Sequence, residues 1–180
     1  MDFSKLFKPI TPEDITDSVF TLVDKVLSVV TAGNGENYNS MVASGGGMGT
    51  QFRKPATWCV FSKKRYTLQL IKEGHAYTLS YFQDRYRKQF MFLGTKSGRD
   101  SNKMREVELT AIQTPLGNIS FGEARLIIEC KLTQITTINA IDDFYSQDTK
   151  DYLSKVYNDP SEFREYVFGE ITGVWEKIKN

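Results

Sequence analysis

The chain has 180 residues, of which 40% are hydrophobic and 25% charged, enough to bury a core within one domain. Twenty-three Lys and Arg against twenty-two Asp and Glu leave a formal charge of +1, so no global field draws the protein to nucleic acid or an anionic membrane, and phosphate recognition has to be local. The chain contains no continuous apolar run long enough to span a bilayer, and Met1 to Pro12 lacks the apolar core of a secretory signal, so a cytoplasmic location is expected.

Val19 to Thr31 is rich in Val, Leu and Thr and stops at Ala32-Gly33-Asn34-Gly35, which predicts a strand and then a turn. Tyr38 to Ser44 resumes extended character, and Gly45-Gly46-Gly47-Met48-Gly49 then reads as a loop where another group can approach the backbone. Pro55 to Phe61 and Ala76 to Phe82 are predicted strands, with a short helix over Arg65 to Glu73 closed near Gly74. Asp84 to Leu93 is predicted helical, because Tyr86, Phe90 and Leu93 share a face, Asp84 suits the start and Gly94 the end.

Arg125 to Thr133 alternates Leu126, Ile128, Cys130 and Leu132 with mostly polar residues, the period of a strand with one buried face. The polar stretch Thr136 to Thr149 reads as an excursion, followed by helical hints at Tyr152 to Tyr157 and Glu162 to Arg164. Tyr166 to Trp175 returns to strand, with Gly169 and Gly173 marking bulges or tight bends. Several strands and few short helices predict a mainly β fold, a closed or partly closed antiparallel barrel.

Several chemistries lack their residues. The single histidine, His75, follows Gly74 at a predicted turn, so His-based zinc sites and Ser-His or Cys-His triads are disfavoured. The glycine cluster fits neither G-x-G-x-x-G nor a P-loop. Cys59 and Cys130 sit far apart within apolar stretches and read as small hydrophobes rather than a redox pair. Asp142-Asp143 stands in a polar stretch without further ligands and reads as a cap or solvated loop.

Two basic turns do suit a phosphate. Gly94-Thr95-Lys96-Ser97-Gly98-Arg99-Asp100 joins glycines, hydroxyls and cations, with Lys103 four residues after Arg99, on the same side of a helical turn begun at Asp100. Ser62-Lys63-Lys64-Arg65-Tyr66-Thr67 joins a strand to a helix start, where unpaired amides and the dipole favour an anion. Composition alone leaves solvated basic turns open as an alternative for both. Tyr81-Phe82 and Phe90-Met91-Phe92 could stack on a planar ring, although most of the aromatics are expected in the core.

Taken in order, Val30-Thr31-Ala32-Gly33, Tyr38 to Ser44, Arg65-Tyr66-Thr67, Ser80-Tyr81-Phe82, Phe92 to Asp100, Glu123-Ala124-Arg125-Leu126 and Gly169-Glu170-Ile171 resemble the flavin reductase-like, FMN-binding split-barrel family, close to its flavoredoxin-type members. The resemblance implies a split β-barrel that forms a homodimer, with FMN near the subunit interface and NAD(P)H delivering hydride to flavin N5. It implies that Asn39, Ser40, Met41, Val42, Ala43 and Ser44 run along the flavin ring. Lys64, Arg65, Thr67, Thr95, Lys96, Ser97, Gly98, Arg99 and Lys103 are then candidates for the ribityl chain and phosphate. Many relatives carry Trp where this chain has Gly45, and commonly Pro and Thr where it has Lys63 and Val42.

Three functions follow as expectations. The first is an NAD(P)H-dependent flavin reductase, in which the cofactor carries the chemistry and no protein residue stands out as an acid or base. The second is an FMN electron carrier that exchanges electrons with partner proteins, and the third a barrel that binds another phosphorylated ligand.

Overall fold

The computed structural model describes residues 2–99, 102–157 and 163–178. Its strands are β1 (Phe7–Ile10), β2 (Ser28–Asn34), β3 (Asn37–Ala43), β4 (Gly46–Gln51), β5 (Lys54–Ser62), β6 (Ala76–Tyr81), β7 (Ala111–Gln113), β8 (Ile119–Phe121), β9 (Leu126–Thr137) and β10 (Arg164–Lys177). Its α-helices are α1 (Tyr66–Gly74), α2 (Arg87–Thr95), α3 (Lys103–Glu106) and α4 (Gln147–Val156). No helix among the described residues is long and apolar enough to cross a membrane.

One sheet organises the molecule in the order β3-β2-β6-β9-β10-β5-β4, antiparallel throughout, with β1 added to β10 and β7-β8 forming a separate hairpin. β10 pairs with β9 along nearly its whole length, and with β5 and then β1 in turn. The two ends of the order, β3 and β4, are consecutive in the chain and joined by Ser44 and Gly45 alone, so the sheet curls into a barrel split along that seam. At the seam the Val60 amide donates to the Gly45 carbonyl at 3.0 Å.

Both faces of the central strands are covered. Leu126, Ile128 and Cys130 of β9 face a core shared with Val30, Leu79 and Val167, while Ile127 faces a second core of Phe82, Phe90, Leu93 and Phe121. The expectation of one buried face on β9 is therefore corrected, since Leu126 to Cys130 are all buried and exposure begins only at Lys131. Buried Glu129 is the polar member of that run. It accepts from Trp175 Nε1 at 2.7 Å and Asn118 Nδ2 at 2.9 Å, and from the Thr114 hydroxyl, which satisfies a carboxylate that burial would otherwise make costly. Tyr81, Phe82 and Phe90, considered for ring stacking, lie in these two cores.

Three further sequence expectations change. The strand expected from Val19 starts only at Ser28: Thr21–Val26 is a π-helical turn that buries Leu22, and burial of that one side chain overrides the β-propensity around it. The Gly45 to Gly49 loop is largely a strand, β4, paired to β5. The predicted helix from Asp84 opens as a 3-10 turn, Asp84–Tyr86, before α2 runs one residue past Gly94. α1 ends at Gly74 as expected, with His75 following it in the left-handed region at φ 54, its amide bonded to the Ile71 carbonyl.

The β10 glycines behave as expected, with register shifts between Phe168 and Gly169 and between Ile171 and Gly173. The polar stretch after Thr137 leaves the sheet as a 3-10 turn (Ile141–Asp143) and α4. Of the hinted segment Glu162 to Arg164, Arg164 opens β10 and Glu162 lies outside the described residues. Cys59 and Cys130 are buried and unbridged, and burial pushes both thiols well above the usual thiol range.

Candidate functional site

A polar cleft of about 370 Å³ opens where β3, the start of α1, the Thr95 to Gly98 turn and α3 meet. β5 delivers the chain through Ser62 to Arg65, which takes the N-cap position of α1, so the first amides of that helix and the positive end of its dipole face the cleft. Asn39 and Thr67 are tied together, Asn39 Nδ2 donating to Thr67 Oγ1 at 2.7 Å, and both are buried in the cleft wall. Gly98 lies so close to Asn39 that an added Cβ would stand 2.1 Å from Asn39 Oδ1, which explains a glycine in this turn.

Lys103 dominates the electrostatics. Its residue is only 2% exposed, and its ammonium donates to the Leu93 carbonyl at 2.8 Å and the Lys96 carbonyl at 2.9 Å, the last turn of α2, where a cation is favoured. An ammonium has three protons, so one donor remains for the cleft that Lys103 also lines. Among the described residues no carboxylate is bonded to it. Burial, with the Arg65 guanidinium nearby, pulls its pKa down to about 8.

A second cleft of about 500 Å³ adjoins the first, sharing Met41, Ser62, Arg65 and Arg164. One wall is the end of β3 with the seam, Met41 to Gly45, and the opposite wall is the excursion, with Phe144, Tyr152, Leu153 and Tyr157. Arg164 stands between the clefts, its Nε donating to the Tyr157 hydroxyl at 2.6 Å. The combined space is therefore cationic at one end and flanked by apolar and aromatic groups at the other.

The candidates read from sequence divide accordingly. Asn39, Met41, Lys64, Arg65, Thr67, Thr95, Lys96, Ser97, Gly98 and Lys103 line the polar cleft, and Met41, Val42, Ala43, Ser44 and Arg65 the second. Ser40 and Arg99 line neither. Ser40 is fully buried and pairs with the Thr31 hydroxyl of the neighbouring β2 at 2.8 Å. Arg99 turns back onto α1, donating to the Lys64 carbonyl at 2.7 Å and Gln69 Oε1 at 3.3 Å. Lys96 lines the cleft but is engaged by Glu106 at 2.7 Å. The helical turn expected to begin at Asp100 cannot be followed, because Asp100 lies outside the described residues, and α3 begins at Lys103.

Sequence reasoning missed Arg164 and the whole aromatic wall from Phe144 to Tyr157. Its only signal was the polar excursion followed by a helical hint, which says nothing about where its rings point. Among the described residues no cluster of three His, Cys, Asp or Glu has the arrangement of a metal site.

A split antiparallel barrel with a bipartite cleft, cationic at one end and ring-lined at the other, defines a class of small-ligand-binding barrels. Residues 22–177 match the flavin reductase like domain, and the chain belongs to that family. Among solved structures, the FMN-binding protein from Thermus thermophilus with bound 1-Cyclohex-2-enone aligns with a TM-score of 0.66 at 17% identity, over 94% of this chain and 80% of that one. The flavoredoxin of Desulfovibrio vulgaris (Miyazaki F) aligns with a TM-score of 0.63 at 19% identity, over 92% and 75%. Nitrilotriacetate monooxygenase component B from Bacillus cereus gives 0.63 at 14% identity, over 92% and 79%. No curated protein sequence matches the chain.

Proposed function

We propose that the chain binds FMN and works as an NAD(P)H-dependent flavin reductase. The observation that carries the reading is the buried Lys103 ammonium, bonded to no carboxylate among the described residues, with one donor left at the polar end of a cleft whose far end is ring-lined. A buried cation with a free donor fits an anion better than any neutral group. A phosphate monoester on a planar ring system matches both ends at once, and the family membership and the FMN-binding neighbours support the choice of flavin.

Bound flavin would supply the hydride-accepting chemistry itself. The chain's residues do the holding. Lys103, Arg65 and Lys64 provide the cations, Thr67 and the Thr95 to Gly98 turn the hydroxyls and amides for the phosphate and ribityl chain. Met41 to Ser44 place strand backbone and, at Ala43 and Ser44, small side chains against the ring, so that a planar group can lie close to β3. The excursion covers the opposite side and limits the entry of water. Hydride transfer asks for alignment rather than a protein acid or base.

The test is anaerobic mixing of the yellow protein with NADH and with NADPH. Bleaching of the flavin band in one turnover supports the reductase. Protein that holds FMN but is bleached by neither nucleotide supports instead an FMN electron carrier fed by a partner protein, a reading the flavoredoxin neighbours favour. Colourless protein that fails to quench FMN fluorescence removes both and leaves a barrel for another phosphorylated ligand. The same proposal includes a homodimer and a cytoplasmic location.

A further inference from the structure

The excursion between β9 and β10 is attached to the barrel by few bonds. α4 buries none of its residues fully, and the side chains of residues 141–157 bond mainly within the segment and its approach. Asp143 accepts from the Asn139 and Ala140 amides at 3.2 and 3.1 Å, Ser146 caps α4 at 3.3 Å, Gln147 donates to Asp151 at 2.8 Å and Lys150 to Asp142 at 3.3 Å. Among the described residues one side-chain hydrogen bond leaves the segment for the barrel, from Arg164 Nε to the Tyr157 hydroxyl at 2.6 Å. The Arg164 guanidinium carbon also stands 5.5 Å from the Tyr157 ring centre, and buried Phe163 meets that ring edge-on at 5.7 Å. Tyr157 is the point where the excursion is fastened.

Arg164 is fixed at its backbone and uncommitted at its tip. It opens β10 opposite Ser62 of β5, and its carbonyl accepts from the Ile138 amide at 3.3 Å, just past the end of β9. An arginine side chain has five N–H donors, of which Nε–H is engaged by Tyr157; among the described residues the two terminal nitrogens bond no group, and no carboxylate pairs with them. The side chain lines the polar cleft, with Lys64, Arg65 and Lys103, as well as the ring-lined one. A guanidinium is planar and rigid, so its two ends are not independent. A phosphate held by the terminal nitrogens fixes the plane, and the plane fixes the direction of Nε–H.

We propose that Arg164 couples the two clefts: a phosphate group seated in the polar cleft takes the terminal nitrogens of Arg164, and the guanidinium plane so fixed holds Tyr157 and fastens the excursion over the second cleft. Toward the ring-lined cleft Arg164 is a positioning residue, since it acts there through Tyr157. The coupling runs both ways, because the factor by which the anion favours the fastened state is the factor by which that state favours the anion. It rests on the flavin reading only in that the polar cleft receives a phosphate group.

The experiment is hydrogen exchange of the α4 amides in the full chain, freed of any copurified flavin and titrated with inorganic phosphate, with the β7-β8 hairpin, which lines neither cleft, as internal reference. Phosphate is expected to slow exchange across α4 by about fivefold or more and to leave the hairpin unchanged. Tyr157→Phe removes the hydroxyl and Arg164→Lys the fork, and each is expected to bring that factor below about twofold. Tyr157 lies outside the polar cleft, yet Tyr157→Phe should weaken phosphate binding in calorimetry by about the factor lost from exchange. Slowing that survives Tyr157→Phe overturns the proposal, as do phosphate that binds without slowing α4 and wild-type protein that binds no phosphate. FMN is titrated separately. Phosphate-dependent slowing in protein that quenches no FMN fluorescence rejects the flavin reading and keeps the coupling, whereas FMN that binds and leaves α4 exchange unchanged rejects the coupling and keeps the flavin reading.

Discussion

Lys103 concentrates the physics of the polar cleft in one group. Its pKa of about 8 against 10.5 for an ordinary lysine means that between those values the unfolded chain holds a proton that the folded chain has released. Stability from this group therefore rises with pH across that window, and Lys103→Met should flatten the slope in denaturant titrations at stepped pH. The ligand prediction runs the other way. A phosphate dianion beside the ammonium favours its charged form, so FMN binding takes up a proton above pH 8 and affinity should fall as pH rises beyond it. Below about pH 6 it should fall again as the phosphate gains its own proton. Riboflavin, which has no phosphate, should show neither limb in the same fluorescence titration. At neutral pH Lys103→Met is expected to cost about tenfold to a hundredfold in FMN affinity, the worth of one charged hydrogen bond. The pair Lys96→Ala with Arg99→Ala should cost less, because Lys96 is held by Glu106 and Arg99 faces α1.

At the scale of elements, β4 shows why part of the fold could not be read. A strand announces itself through alternating side chains, and Gly45 to Gly49 has almost none, so the run looked like a loop. The information lies instead on β5, whose Trp58 ring lies against Gly47. Gly47→Ala is expected to destabilise by about 1–3 kcal/mol through overpacking, while Gly45→Ala should stay within about 0.5 kcal/mol; thermal melts of the two variants decide it. β3, β5 and β6 were legible because each keeps its β-branched or aromatic pattern, and the β10 bulges because glycine in a long strand has few other uses. The two basic turns were legible as chemistry, but not the commitments of Ser40 and Arg99, which depend on a hydroxyl pair with the neighbouring strand and on where a long side chain folds back. The buried network on β9 also escaped, since Glu129 looked like the polar side of an amphipathic strand. Glu129→Ala would strand the Trp175 and Asn118 donors and should lower the unfolding free energy read from urea titrations by about 3 kcal/mol, far more than Lys131→Ala at its exposed neighbour.

For the whole molecule, a formal charge of +1 offers little long-range repulsion between copies. Phe20 at 87% and Phe52 at 80% exposure place large apolar side chains on the surface of this chain by itself. The proposed homodimer predicts twice the chain mass in sedimentation velocity. Phe52→Asp or Phe20→Asp should shift that boundary toward the monomer if either ring is covered by the second copy.

The position of β10 has a consequence for how the chain is made. This strand joins β9 to β5 and β1, yet translation delivers it after all three of its partners. Lys54 and Glu170, held at 2.9 Å, are 116 residues apart. Until β10 leaves the ribosome the half-sheet β3-β2-β6-β9 and the hairpin β4-β5 have no ladder between them, and each carries an open edge ready to pair with a stranger. The nascent chain should therefore depend on chaperones that shield strand edges until synthesis passes Lys177, and a ribosome stalled before Arg164 should present a protease-sensitive pair of fragments rather than a barrel.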